Sequence, residues 1–191
     1  MNITHDILMH AFGRPAGMLG RMGGMIMART NRTCAAWVTT LLYIQPNDNV
    51  LEVGFGPGVG IELLAGSATV GYVAGVDVSP IMLEQARARN ANGIKSGRID
   101  LRCASVDQLP FEDNTFDKAL AINSMQVWPD AMNGLREIRR VMKPGGTIAL
   151  GFTPYSGRSK DGLSELLAEA GFINPDVKTD EIGFCATGVK P

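Results

Sequence analysis

The sequence predicts an α/β fold, a three-layer sandwich with a mainly parallel sheet between two layers of helices. Three observations carry this prediction. From about residue 49 onward, strand-like and helix-like patterns alternate repeatedly, the order that parallel strands joined by crossover helices impose. The first strand runs directly into a glycine loop, Glu52-Val53-Gly54-Phe55-Gly56-Pro57-Gly58. The second strand ends on an acidic residue, Asp77.

The elements follow in chain order. Residues 49–53 are a short apolar run ending in glycines, and 59–65 have helical spacing. Residues 72–76 form a β-rich run that leads to Asp77. Ser79 stands as an N-cap with Pro80 at the first helical position, so a helix runs over 80–90. Residues 98–103 alternate in polarity as a third strand, and 116–122 form a fourth. Over 131–142 an amphipathic helix carries Leu135, Ile138, Val141 and Met142 on one face. A fifth strand covers 147–152, and a helix over 163–170 is capped by Gly171. Short strands around Val177 and over 184–189 finish the pattern.

Residues 1–46 read differently. They carry Arg14, Arg21, Arg29 and Arg32 and no acid after Asp6. Helical spacing runs from about 30 to 43, with a less regular glycine-rich part before it. The expected organisation is an N-terminal arm over 1–46 and a main domain over 47–191, together one compact unit. A chain of 191 residues buries roughly 70% of its unfolded surface, so the core needs no staple. Cys34, Cys103 and Cys185 are scattered without a C-x-x-C pair, so neither a metal site nor a redox motif is indicated. Thiols of this kind suit a reducing, cytoplasmic setting. The apolar run at 22–28 is far short of the roughly 20 residues that span a bilayer. A net charge of -1 gives no reason to expect nucleic acid.

The chemistry concentrates at strand ends. In such sheets ligands bind beyond the carboxyl ends of the strands, where strand order reverses, so Gly54–Gly58, Asp77 and Asn123 should line a site. A dinucleotide fingerprint G-x-G-x-x-G/A starting at Gly54 would need its third small residue where Val59 stands. Glu52 precedes the first glycine by two positions. A carboxylate fits poorly beside a pyrophosphate and well beside the ammonium of an amino acid moiety. Asp77 can accept both hydroxyls of a ribose, and Val78 and Met82 can meet the flat face of a base.

Four motifs, VLEVGFGPGVG, GVDVSP, LPFEDNTFD and LREIRRVMKPGG, stand in that order. Together they resemble the class I S-adenosylmethionine-dependent methyltransferases, most closely the branch of the ubiquinone/menaquinone biosynthesis methyltransferases. The likeness is dense over about 47–153 and loose over 160–190. It implies a seven-stranded, Rossmann-like sheet whose last strand is antiparallel, and S-adenosyl-L-methionine as cofactor, with S-adenosyl-L-homocysteine as product. It also implies that Gly54, Gly56 and Gly58 form the cofactor loop, that Glu52 orients the ammonium and that Asp77 holds the ribose. Asn123 would then lie near the methionine part, and Lys143-Pro144-Gly145-Gly146 would be the turn into the fifth strand.

The chain departs from the family pattern twice. Where an acid usually meets the adenine amine stands Ser105, followed by Val106; either Ser105 accepts that bond without charge or Asp107 takes it over. Where many relatives carry a histidine pair stands Gln126-Val127-Trp128. Methyl transfer needs a base only when the acceptor must lose a proton, and the candidates are His5, His10 and Tyr155. The link from the fifth strand to the next helix is short, so the arm is expected to cover a small or lipophilic acceptor with Met18, Met22, Met25 and Met27. These methionines equally suit core packing or a homodimer contact. The reading is a small-molecule methyltransferase acting by in-line transfer. The alternatives are a non-catalytic module that binds the cofactor and a nicotinamide-dependent oxidoreductase.

Overall fold

The computed structural model describes residues 31–191. A seven-stranded sheet runs through it in the order β3-β2-β1-β4-β5-β7-β6. The strands are β1 (Val50–Val53), β2 (Val73–Asp77), β3 (Ile99–Cys103), β4 (Phe116–Ile122), β5 (Met142–Phe152), β6 (Ile173–Asp180) and β7 (Gly183–Val189). All pairings from β3 to β5 are parallel, and β7 alone runs against its neighbours β5 and β6. This is the sheet that the sequence motifs imply.

Helices cover both faces. On one face lie α1 (31–41), α2 (Val59–Ser67), α3 (Pro80–Arg89) and α4 (Ala91–Lys95); their buried partners on the sheet include Val50, Val73, Ile99 and Leu120. On the other lie α5 (Ala131–Val141) and α6 (Leu163–Glu169), packed on Leu51, Val53, Ala119 and Ile148. Alternation along β1 therefore sends Val50 and Glu52 to one face and Leu51 and Val53 to the other. Ser79 caps α3 by accepting the Met82 amide, and Leu135, Ile138 and Val141 form the buried stripe of α5, both as the sequence indicates.

Two elements differ from the expectation. Met142 opens β5 and does not close α5, and the Lys143–Gly146 segment lies inside that strand. The strand is irregular there: Phe116 pairs with Met142, the register then jumps so that Lys118 pairs with Thr147, and Gly145 takes a φ of 80°. Pro144 still stops the helix, as its missing N–H dictates. Helix α4 was not foreseen, because Asn90, Asn92 and Gly93 are poor helix formers; a close fit holds it, since a side chain at Gly93 would strike Ile99. Helix α1 packs on the sheet through Cys34, Ala35, Val38 and Leu42, all buried.

The third and fourth motifs meet each other. Arg140 of α5 donates to Glu137 and Asp113 and to the carbonyls of Leu109 and Phe111, while Glu137 accepts the Leu109 amide. Leu-Pro-Phe-Glu-Asp is thus strapped to α5, which anchors the loop that follows β3.

Candidate active site

Strand order reverses between β1 and β4, and a cleft opens there beyond the strand ends. It holds about 940 Å³ of space outside protein atoms, its mouth included. Glu52, Gly54, Gly56, Asp77, Val78, Met82, Ser105, Val106 and Asn123 all line it. Gly58 does not line it. Its amide donates to the Phe55 carbonyl at 3.0 Å, and a side chain there would strike Ala86 and Asn90. At a φ of 81°, Gly58 serves the seating of α3 against the loop.

Glu52 is buried, and its Oε2 has no hydrogen-bond partner. The carboxylate points at the first turn of α2, where a side chain at Gly60 would stand 2.2 Å from Oε1. That close approach is the reason for the fourth glycine of the motif. Burial, reinforced by the Asp77 charge, pushes the Glu52 carboxyl up to about 8; a hydrogen bond from the Ile61 amide opposes it. A buried, unpaired carboxylate oxygen facing a cleft is costly unless a cation or donor arrives.

Asp77 spends one oxygen on each side of the loop system. Its Oδ2 accepts the Gly56 amide at 2.8 Å and its Oδ1 accepts the Ser79 amide at 2.8 Å. Burial pushes its carboxyl above the ordinary carboxylate range, and the amides of Ser79 and Gly56 counter that. The carboxylate still has lone pairs for two hydroxyls while it fixes the glycine loop.

Asn123 sits at a φ of 48° just past β4. Its amide is heavily used: Nδ2 donates to Asn31 Oδ1 at 3.0 Å and to Thr153 Oγ1 at 3.2 Å, and Oδ1 accepts the Thr153 amide at 2.9 Å. It therefore ties β4, β5 and α1 together at the cleft edge.

Sequence reasoning missed the apolar wall. Phe55, Ile122, Val127, Trp128, Pro129 and Ala35 also line the cleft. No periodic pattern marks Val127–Pro129: Val127 ends a single 3-10 turn, Met125–Val127, and Trp128 and Pro129 follow it. Ser124 was missed as well; it is buried, and its hydroxyl donates to the Val53 carbonyl at 2.8 Å. Tyr155 is 97% exposed and lies outside the cleft lining, because the turn closed by Ser156 N and Thr153 O carries its ring to solvent. His5, His10 and the four methionines of the arm lie outside the described residues.

The cleft fits S-adenosyl-L-methionine in three respects: an orphaned buried carboxylate oxygen for its ammonium, a loop-bound carboxylate for its ribose, and Val78, Met82 and Val106 for its base. The methyltransferase domain family matches residues 51–150. The chain is similar to the uncharacterized methyltransferase YdaC of Bacillus subtilis, 31% identical over 89% of this chain and 98% of that one. It is also similar to the ubiquinone/menaquinone biosynthesis C-methyltransferase UbiE of Geotalea daltonii, 32% identical over 55% of this chain; the match spans 45% of that protein. Among solved structures, a phosphoethanolamine N-methyltransferase of Haemonchus contortus, in complex with S-adenosylhomocysteine and phosphomonomethylethanolamine, superposes with a TM-score of 0.76 at 16% identity. It covers 100% of this chain and 61% of its own, and the likeness is one of fold.

Proposed function

The chain belongs to the class I S-adenosyl-L-methionine-dependent methyltransferases, with S-adenosyl-L-methionine as its donor, and on that premise we propose that it methylates a small apolar molecule by in-line transfer. The observation that carries this is the division of the cleft lining. Its only charged side chains among the described residues are Glu52 and Asp77, and Ile122, Val127, Trp128 and Pro129 form an apolar stretch beside the uncharged Asn31, Asn123 and Ser124.

When bound, the cofactor supplies a methyl group on a sulfonium, an activated carbon with a good leaving group. Glu52 would hold the ammonium, and Asp77 would accept from the ribose while keeping the glycine loop in place. Val78, Met82, Ser105 and Val106 would frame the adenine. Asn123, itself clamped by Asn31 and Thr153, would fix the edge nearest the methionine part. The apolar wall would exclude water and orient the acceptor, and positioning of that kind supplies most of the acceleration such a displacement needs.

Asn31 lines the cleft. We propose that residues 1–30 complete the acceptor wall and offer His5 or His10 where an acceptor must lose a proton. Incubation with methyl-labelled cofactor and a panel of apolar phenols, thiols and amines beside charged analogues tests the reading. Label should enter apolar members; exclusive methylation of charged ones, or cofactor binding with no transfer at all, overturns it.

A further inference from the structure

Resting on the proposed apolar acceptor, we infer that Asn31 selects among such molecules through its amide N–H groups, so that the one methylated carries an oxygen that accepts a hydrogen bond, a carbonyl or a phenolate. The cleft is divided along the sheet. Its charged groups, Glu52 and Asp77, stand on β1 and β2. Its apolar stretch begins at Ile122, the last residue of β4, and continues through Val127 and Trp128. Strand order puts β4 and β5 on the side of β1 away from β2. Asn31 belongs to that side. It lines the cleft, its side chain is bonded to Asn123 just past β4, and Asn123 is bonded in turn to Thr153 just past β5.

One backbone group decides which way both amides face. The Thr153 N–H can only donate, and it meets the Asn123 side chain at 2.9 Å, so the atom it meets is the oxygen, Oδ1. The other end of that amide is Nδ2, which can only donate, and Asn31 receives it at 3.0 Å with its own Oδ1. What Asn31 has left is its NH2 group, and among the described residues nothing accepts from it. Both partners are held. The Asn123 carbonyl, at a residue whose φ is 48°, accepts Gln126 Nε2 at 2.9 Å. Arg32, next to Asn31, pairs with Glu62 of α2 at 3.0 Å, and Ala35 of the same helix is buried. An N–H beside an apolar wall is satisfied by a ligand oxygen and left unmatched by a hydrocarbon. Asn31 is thus the specificity-determining group, and Asn123 and Thr153 are positioning residues that act through it.

The test titrates the full chain, saturated with S-adenosyl-L-homocysteine, with three naphthalenes and follows their fluorescence. The carbonyl of 2-acetylnaphthalene accepts, 2-isopropenylnaphthalene is its apolar isostere, and the amine of 2-aminonaphthalene donates. Wild type should bind the acetyl compound about tenfold more tightly than the isopropenyl one, the worth of one hydrogen bond. Asn31→Ala should bring that ratio to about one, while affinity for S-adenosyl-L-homocysteine stays within about threefold. Asn123→Asp keeps Asn31 in place yet turns its amide, because a carboxylate can only accept and Asn31 must then donate to it and show its own oxygen to the cleft. Aspartate tolerates the φ of 48° as asparagine does. Preference should pass to the amino compound, a reversal that a general loosening of the fold does not produce. Should Asn123→Asp not fold, Asn31→Ala decides. If wild type binds the acetyl and isopropenyl compounds equally, or if Asn31→Ala keeps the wild-type ratio, the inference fails and the apolar acceptor stands. If Asn31→Ala keeps that ratio and instead loses about tenfold in affinity for S-adenosyl-L-homocysteine, Asn31 serves the donor and the inference is overturned. If wild type binds S-adenosyl-L-homocysteine and none of the naphthalenes, the apolar acceptor fails and takes the inference with it.

Discussion

On the proposed reading, the donor end and the acceptor end of the cleft are built from different material. At the donor end the working groups stand on or beside strands whose register is fixed on both sides: Glu52 pairs across to Gly75 and Leu120, and Asp77 to Cys103. Each carboxylate is buried or tethered by backbone amides. At the acceptor end the wall is a 3-10 turn and the loop after it, together with the start of α1. On that reading donor binding follows from sheet geometry, while acceptor choice follows from segments the sheet does not dictate. The two should therefore come apart under mutation.

Deleting residues 1–28 should separate them most sharply. Turnover should vanish while affinity for S-adenosyl-L-homocysteine stays within about threefold, a split between chemistry and donor binding. Retained turnover would place the acceptor wall wholly within the described residues. Asp77→Ala should do the reverse, lowering donor affinity by about 100-fold, since two charge-assisted bonds and the loop tethers go together. Calorimetry reads that loss directly, and a drop of less than tenfold would argue against ribose binding at Asp77.

Glu52→Gln should weaken the donor by about tenfold and also change its pH dependence. Burial, with help from Asp77, holds the free carboxyl protonated at neutral pH, at a value of about 8 against an ordinary 4.5. Its share of stability is whole below the ordinary value and is lost as pH rises through about 8. A bound ammonium favours the carboxylate, so binding expels the proton and affinity climbs with pH across that window. Near pH 7 about one proton should leave per ligand in wild type and none from this site in the variant, as measured in buffers of different ionisation enthalpy. The smallest effect belongs to Tyr155→Ala, which should leave turnover within about twofold because the ring faces solvent.

Much of the cleft lining was legible in the sequence because strand ends announce themselves. An apolar run followed by glycines fixes β1, and Asp77 closes β2 where the parallel-sheet rule places a ligand contact. The reasons for individual glycines were not legible. Gly60 answers to the Glu52 carboxylate and Gly58 to α3, and both reasons are contacts across the fold. The same holds for Ser124, whose approach to Gly54 only the β1–β4 neighbourhood creates. Two of the four motifs proved to be scaffold: Arg140 and Glu137 strap the loop after β3 to α5 and touch no cleft atom. The acceptor wall left no trace because three loop residues carry no period. Met142 was misassigned for a related reason: it is buried whether it ends the helix or begins the strand.

The donor end can be tested without knowing the acceptor. Titration of the full chain with S-adenosyl-L-homocysteine and, separately, with NAD is the most direct measurement. The account requires binding of the first in the micromolar range, with a proton released at pH 7, and no measurable heat from the second. Tight binding of NAD, or no binding of S-adenosyl-L-homocysteine, would contradict it.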